Sequence, residues 1–160
     1  MMIKDDTRQT IKFIIWLIVV IILAYCLTVV IFYKAGKPAQ GEMQEVSRIA
    51  TEKTPITRVQ TYYHLDRGIN SYSLKGSGKK GSYYFIYLPG SKKGYLFPTK
   101  KGVSEAAIRS KFKAQGATGK ISQVNLGWYR GRAVWEVTAK NSSGSYNYKL
   151  YEFKNGNLVG

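Results

Sequence analysis

The stretch Ile121-Ser122-Gln123-Val124-Asn125-Leu126-Gly127-Trp128-Tyr129-Arg130-Gly131-Arg132-Ala133-Val134-Trp135-Glu136-Val137-Thr138-Ala139 is the most legible part of the chain. Val124, Leu126 and Trp128 alternate with other residues, and Ala133, Trp135, Val137 and Ala139 resume the alternation after Arg130-Gly131. Successive side chains of a strand point to opposite faces, so each run reads as a strand with one apolar face. The intervening Arg130-Gly131 is short and ends in the residue that most easily takes a positive φ, as a tight hairpin turn requires. The stretch is therefore a β-hairpin, with Trp128 and Trp135 as core candidates.

The elements on either side extend this hairpin into a unit. Downstream, Asn141 to Gly144 turns the chain into a strand from Tyr146 to Phe153, and Asn155-Gly156 is a hairpin signal before Leu158-Val159. Upstream, Val103, Ala106-Ala107 and Phe112 have helical spacing, Ser104-Glu105 opens the helix and Gly116 closes it. Residues 103–160 thus read as one helix followed by four strands. The same order precedes it. Met43, Val46, Ile49 and Ala50 predict a helix from Glu42 to Lys53, ended by Pro55. Strands then follow over Thr57 to His64, Ile69 to Lys75, Ser82 to Leu88 and Tyr95 to Phe97, giving a first unit at 42–99. Residue identities between the units are weak, and it is the element order that repeats. A helix on an antiparallel sheet is the smallest arrangement that buries a sheet face. Units of about 60 residues are marginal alone, so the two are expected to pack together. One continuous domain with a larger sheet is the alternative.

Phe13 to Tyr33 is a run of 21 residues without a charge, bracketed by Lys12 and Lys34. A helix of that length covers roughly 30 Å, the thickness of the bilayer's hydrocarbon core. Its fifteen Ile, Leu, Val and Phe residues favour insertion by about 5–9 kcal/mol. The run is longer than a cleaved signal's apolar region, and no small-x-small site follows it. Leu23-Ala24-Tyr25-Cys26 departs from a lipobox at Tyr25, and the apolar run continues past Cys26. The expectation is an uncleaved anchor whose ends are Phe13 and Tyr33, with a cytoplasmic tail at 1–12, a transmembrane helix at 13–33 and a linker at 34–41. The linker, Ala35 to Gly41, is made of helix breakers and small residues. Basic residues balance across the run: Lys4, Arg8 and Lys12 before it, Lys34, Lys37 and Arg48 after it. A short tail ahead of the first apolar segment is the signal-anchor arrangement. It places the chain in the cell membrane as a single-pass protein with its C-terminal domain extracellular. The fold class is α+β: one transmembrane helix, then two tandem helix-plus-antiparallel-sheet subdomains.

Composition closes off most chemistry. The chain of 160 residues has one Cys and one His, with 25 Lys and Arg against 9 Asp and Glu. One Cys makes no disulfide framework, one His no poly-His metal centre, and the few carboxylates limit paired-acid hydrolysis. His64 beside Asp66 lacks a nucleophile-elbow motif, Glu136 reads as a cross-strand partner of a basic residue, and Gly76-Ser77-Gly78 lacks P-loop spacing. No catalytic, metal or cofactor-binding residue emerges, and the expected class is not an enzyme.

Residues 35–160 carry a net charge of +14 and eleven Tyr. Basic residues among aromatics suit a polyanion, but the Lys pairs fall at turns and the Tyr in strands, where solvated loops around an aromatic core explain both. Lys79, Lys80, Lys92 and Lys93 are the candidates for an anionic cell-wall polymer. Tyr62, Tyr87 and Tyr151, expected to be exposed, are the candidates for a protein partner. Nucleic acid is not expected as a partner of an exported domain.

Taken together, the ordered motifs resemble a known family. They are Ser71-Tyr72-Ser73-Leu74-Lys75-Gly76 and Tyr84-Phe85-Ile86-Tyr87-Leu88-Pro89 in the first unit, and Gly102-Val103-Ser104-Glu105, Leu126-Gly127-Trp128, Ala133-Val134-Trp135-Glu136-Val137-Thr138 and Tyr146-Asn147-Tyr148 in the second. With the short tail and single anchor, the set resembles the TseB (YpmB-like) cell-wall elongation regulators of Gram-positive bacteria. The first unit departs most, having Tyr72-Ser73-Leu74 where the second has Trp135-Glu136-Val137. The resemblance implies two PepSY-like, cystatin-type subdomains and a membrane-anchored, non-enzymatic partner of a class B penicillin-binding protein in lateral wall synthesis. It implies no catalytic residues. A peptidase-inhibitor-like module and a polyanion-binding wall protein are the alternatives.

Overall fold

A computed structural model describes the backbone of residues 3–116 and 119–159, and the side chains of these except residues 3–8 and 33–40. The chain forms two compact units, Met1–Gly41 and Glu42–Gly160. The first helix, α1 (Ile3–Lys53), supplies all the described structure of the first unit and opens the second.

Within the first unit, Gln9–Phe32 is a 24-residue apolar span with a mean hydropathy of 3.1 and every side chain exposed. Phe13, Trp16 and Phe32 are among its exposed side chains; the side chain of Tyr33 lies outside the described residues. Thr28 Oγ1 donates to the carbonyls of Ala24 and Tyr25, so its hydroxyl proton is satisfied within the helix. An apolar surface of this length fits a single-pass membrane anchor.

Residues 34–41 differ from the expectation of a broken linker, because α1 is helical throughout them. Pro38 has no backbone N–H to give, at a typical interior cost of about 3 kcal/mol. That local penalty did not end the helix: propensity is a weak prior that long flanking helical turns override.

The second unit contains two antiparallel sheets. β1 (Arg58–Asp66), β2 (Asn70–Gly78), β3 (Gly81–Leu88) and β4 (Lys93–Pro98) form the first, in that order. A short 3-10 turn at Thr99–Lys101 leads to α2 (Glu105–Ala114). β5 (Lys120–Tyr129), β6 (Arg132–Lys140) and β7 (Tyr146–Glu152) form the second, again in chain order. The hairpin that opened the sequence reading joins β5 to β6, with Arg130 at φ 45° and Gly131 at φ 80°. Ser104 caps α2, its side chain accepting from the N–H of Ala107. The fourth strand expected in the second unit is reduced to a single bridge, Tyr151 to Leu158. The chain does reverse at Asn155-Gly156, and Val159 N–H reaches the Leu150 carbonyl.

The first sheet is covered on both faces. Val46 and Ala50 of α1 pack with Ile56 on Tyr72, Leu74, Phe85 and Tyr87. On the other face, Tyr63, Tyr84, Ile86 and Leu88 join Ile108 and Phe112 of α2 and Leu126, Trp135, Val137, Tyr151 and Phe153 in one core. Trp135, fully buried, is the hub. Tyr63 and Tyr84 meet its ring edge-on at 5.4 and 5.5 Å, and its Nε1–H donates to the Val103 carbonyl at 2.8 Å. A close approach joins the sheets: Ser71 Oγ donates to Leu65 O at 2.9 Å and accepts from Trp128 N–H at 3.0 Å. Gly127 is required there, since a Cβ would strike Leu65 and the Ser71 hydroxyl.

Candidate functional site

The two covered faces decide which Tyr residues are available. Tyr62 lies on edge strand β1 and is 42% exposed. Tyr87 and Tyr151 correct the expectation of exposed strand tyrosines, being 6% and 0% exposed. Tyr87 shares the face that α1 covers. Tyr151 pairs across the ladder with Trp135, so it shares that ring's inward face, and its hydroxyl donates to Gln115 Oε1 at 2.9 Å. The exposed tyrosines of β7 are Tyr146 and Tyr148. The signal for them was present in the sequence: once Trp135 is inward, residues of β7 in phase with its cross-strand partner Tyr151 are inward, and Tyr148 is out of phase. Arg67 lies over the Tyr148 ring at 4.8 Å and pairs with Glu136, while Lys140 lies 5.5 Å from the Tyr146 ring.

Lys79, Lys80, Lys92 and Lys93 are exposed, and none is within ion-pair distance of an acid among the described residues. The fold does not gather them into one patch by sequence neighbourhood: Lys79 and Lys80 sit at the β2–β3 turn, Lys92 and Lys93 at the β3–β4 turn. It does bring Lys92 together with Tyr87. Both line a cavity of about 510 Å³ between the last turns of α1 and the β3–β4 side of the first sheet. Arg48, Ile49 and Lys53 form the helix wall, and Phe85 and Leu96 contribute to the apolar floor. Gly94 belongs to the same lining; its missing side chain leaves room for the Phe85 ring, which a Cβ would meet at 2.7 Å. The helix register and the lone Gly in an apolar strand are visible in the sequence, but the groove requires their packing.

A smaller cleft of about 290 Å³ lies at the start of α2. Glu105 accepts from the Tyr63 hydroxyl at 3.0 Å and from Arg109 at 2.7 Å. Burial, then the Glu105 charge and hydrogen bond, push the Tyr63 phenol above its ordinary value of 10.0. Burial and the same carboxylate raise that of Tyr84, and burial alone that of Tyr151. These phenols are therefore neutral hydrogen-bonding groups at physiological pH, and Arg109 neutralises the one carboxylate among them. His64 stacks on Tyr72 at 4.6 Å and bonds Asn70 on an exposed surface. No group of three or more metal-ligating side chains occurs among the described residues.

No family model matches the chain. It is 25% identical over 146 residues to the probable cell wall elongation regulator TseB of Bacillus subtilis (strain 168), covering 88% of this chain and 89% of that protein. Its fold matches the solved structure of the YpmB protein from Bacillus subtilis with a TM-score of 0.64 and 24% identity, covering 73% of this chain and 93% of that one. Both relatives are of the family recognised from the sequence motifs, and the α+β architecture expected from them is the one observed.

Proposed function

We propose that this chain, a homologue of the TseB regulator, is a membrane-anchored, extracytoplasmic, non-enzymatic protein that regulates cell-wall elongation by engaging a class B penicillin-binding protein. The similarity to TseB along nearly the full length of both chains carries this reading. The exposed apolar helix at Gln9–Phe32 supports the anchor. In this reading the tail at 1–12 is inside and the subdomains at 42–99 and 103–160 are outside. In this reading the protein acts by presenting a surface to its partner. Tyr62 is the candidate from the original aromatic set that remains exposed.

Topology is the test that reaches furthest. Ser143 is exposed in the β6–β7 turn, and Ser143→Cys should be labelled on intact cells by a membrane-impermeant thiol reagent. Labelling only after lysis would put residues 42–160 inside and remove the wall reading. The full-length protein in detergent micelles should also bind a purified class B penicillin-binding protein. A second reading, attachment to an anionic wall polymer, is favoured by the unpaired Lys79, Lys80, Lys92 and Lys93. Binding of that kind would weaken steeply with salt, because exposed charges are screened within about 8 Å at physiological ionic strength.

A further inference from the structure

The first sheet ends on an open edge. β4 pairs with β3 alone, and no backbone group along its outer side makes a hydrogen bond among the described residues. An unpaired row of N–H and C=O groups is a template for another strand unless charge, Pro or a covering element blocks it. Here Pro98 closes only the far end, and Lys93 the near one. The intervening Gly94, Tyr95, Leu96 and Phe97 are uncharged.

Beside this edge lies the groove of about 510 Å³. α1 covers the neighbouring strands through Val46 and Ala50 but leaves the face of β4 as the floor of a trough. The trough is apolar at its base, at Phe85 and Leu96, and its rim carries Arg48, Lys53 and Lys92 against one acid, Glu45, a net positive charge. Arg48 is engaged by Glu52 at 3.0 Å, but Lys53 and Lys92 have no acid partner among the described residues. The Tyr87 hydroxyl makes no hydrogen bond among the described residues. Two free ammonium groups on the α1 side of an unpaired strand are complementary to an extended segment that alternates acidic and apolar residues. Its backbone would complete the sheet, its acidic side chains would fall on the α1 side towards Lys53 and Lys92, and its apolar ones on the opposite side, which carries Tyr95 and Phe97.

The geometry points to this groove and the β4 edge as the docking site for an extended, acidic segment of a partner protein, added as a fifth strand to the first sheet. The inference rests on the interaction-protein reading above and specifies the surface and chemistry that reading leaves open. It predicts recognition by backbone pairing and charge, not by a rigid globular face.

The test uses the full chain in detergent micelles and a short fluorescent peptide alternating Glu and Val, with Ser/Val and Lys/Val controls. The Glu/Val peptide should bind, and Lys53→Glu with Lys92→Glu should weaken it by about tenfold. Both lysines are exposed, so the double variant should keep the wild-type fold by circular dichroism. Amide hydrogen exchange along Lys93–Pro98 should slow on binding. No binding by the wild type, equal binding of the Lys/Val peptide, indifference to the double variant, or unchanged exchange in β4 would each overturn the proposal. Self-association abolished by the same variant would assign the edge to a second copy and overturn it too. The purified class B penicillin-binding protein separates the two readings. If it binds the wild type and the double variant equally, the groove proposal fails alone. If it fails to bind the wild type, the partner reading fails while the peptide result still decides the groove.

Discussion

Trp135 shows how much one side chain holds. Its ring is fully buried, Tyr63 and Tyr84 pack edge-on against it, and its N–H satisfies the Val103 carbonyl. Truncation removes apolar contact on several sides and leaves that carbonyl without its donor. Trp135→Ala should therefore destabilise the domain by about 3–5 kcal/mol, measured by urea unfolding of the full chain. A change of a few tenths would mean that the ring is not enclosed. At the same scale, Tyr151 shows where residue reading goes astray. A Tyr in a strand looks amphipathic, but its ladder position opposite Trp135 assigns it to the core.

Among elements, α2 depends on its start. It is a short helix of ten residues, and helices of this length are marginal without packing and caps. Ser104 accepts from Ala107 N–H, Glu105 lies at the positive end of the helix dipole, and Lys111 and Lys113 lie at the negative end. Ser104→Ala should cost about 1 kcal/mol by the same unfolding measurement. Ser104→Asp should retain most of the stability because its carboxylate can accept the same bond. The elements also mark the limits of local signals. Gly36, Pro38 and Gly41 predict a break, yet the backbone is helical through them. Asn155-Gly156 predicts a hairpin, and the chain does reverse there, but its return pairs with β7 only at the Tyr151–Leu158 bridge.

For the whole molecule, the phenols of Tyr63, Tyr84 and Tyr151 tie the stability of the second unit to alkaline pH. All three belong to the core between the sheets, and all three are raised above 10.0, by burial first. The folded state therefore retains protons that the unfolded state releases above about pH 10. The stabilisation is fully present below that pH and declines as pH rises towards the folded-state values. Unfolding free energy should fall as pH increases above 10, and Tyr63→Phe should reduce the slope. A flat profile there would mean that these phenols ionise as readily folded as unfolded.

The sequence by itself determined the apolar helix, the order of helix and strands after it, the principal hairpin and the resemblance to the TseB regulators, because each rests on local periodicity or on an ordered set of short motifs. Val124, Leu126 and Trp128 alternate whether or not their neighbours are known. Tertiary structure alone decided that Tyr87 is buried, since the first sheet is covered on both faces and burial there no longer follows alternation. It also decided the groove, which joins Lys53 of α1 to Lys92 and Leu96 across about forty residues of sequence. Periodicity describes one element at a time. Burial and cavities arise where several elements meet, and no single element's pattern specifies them.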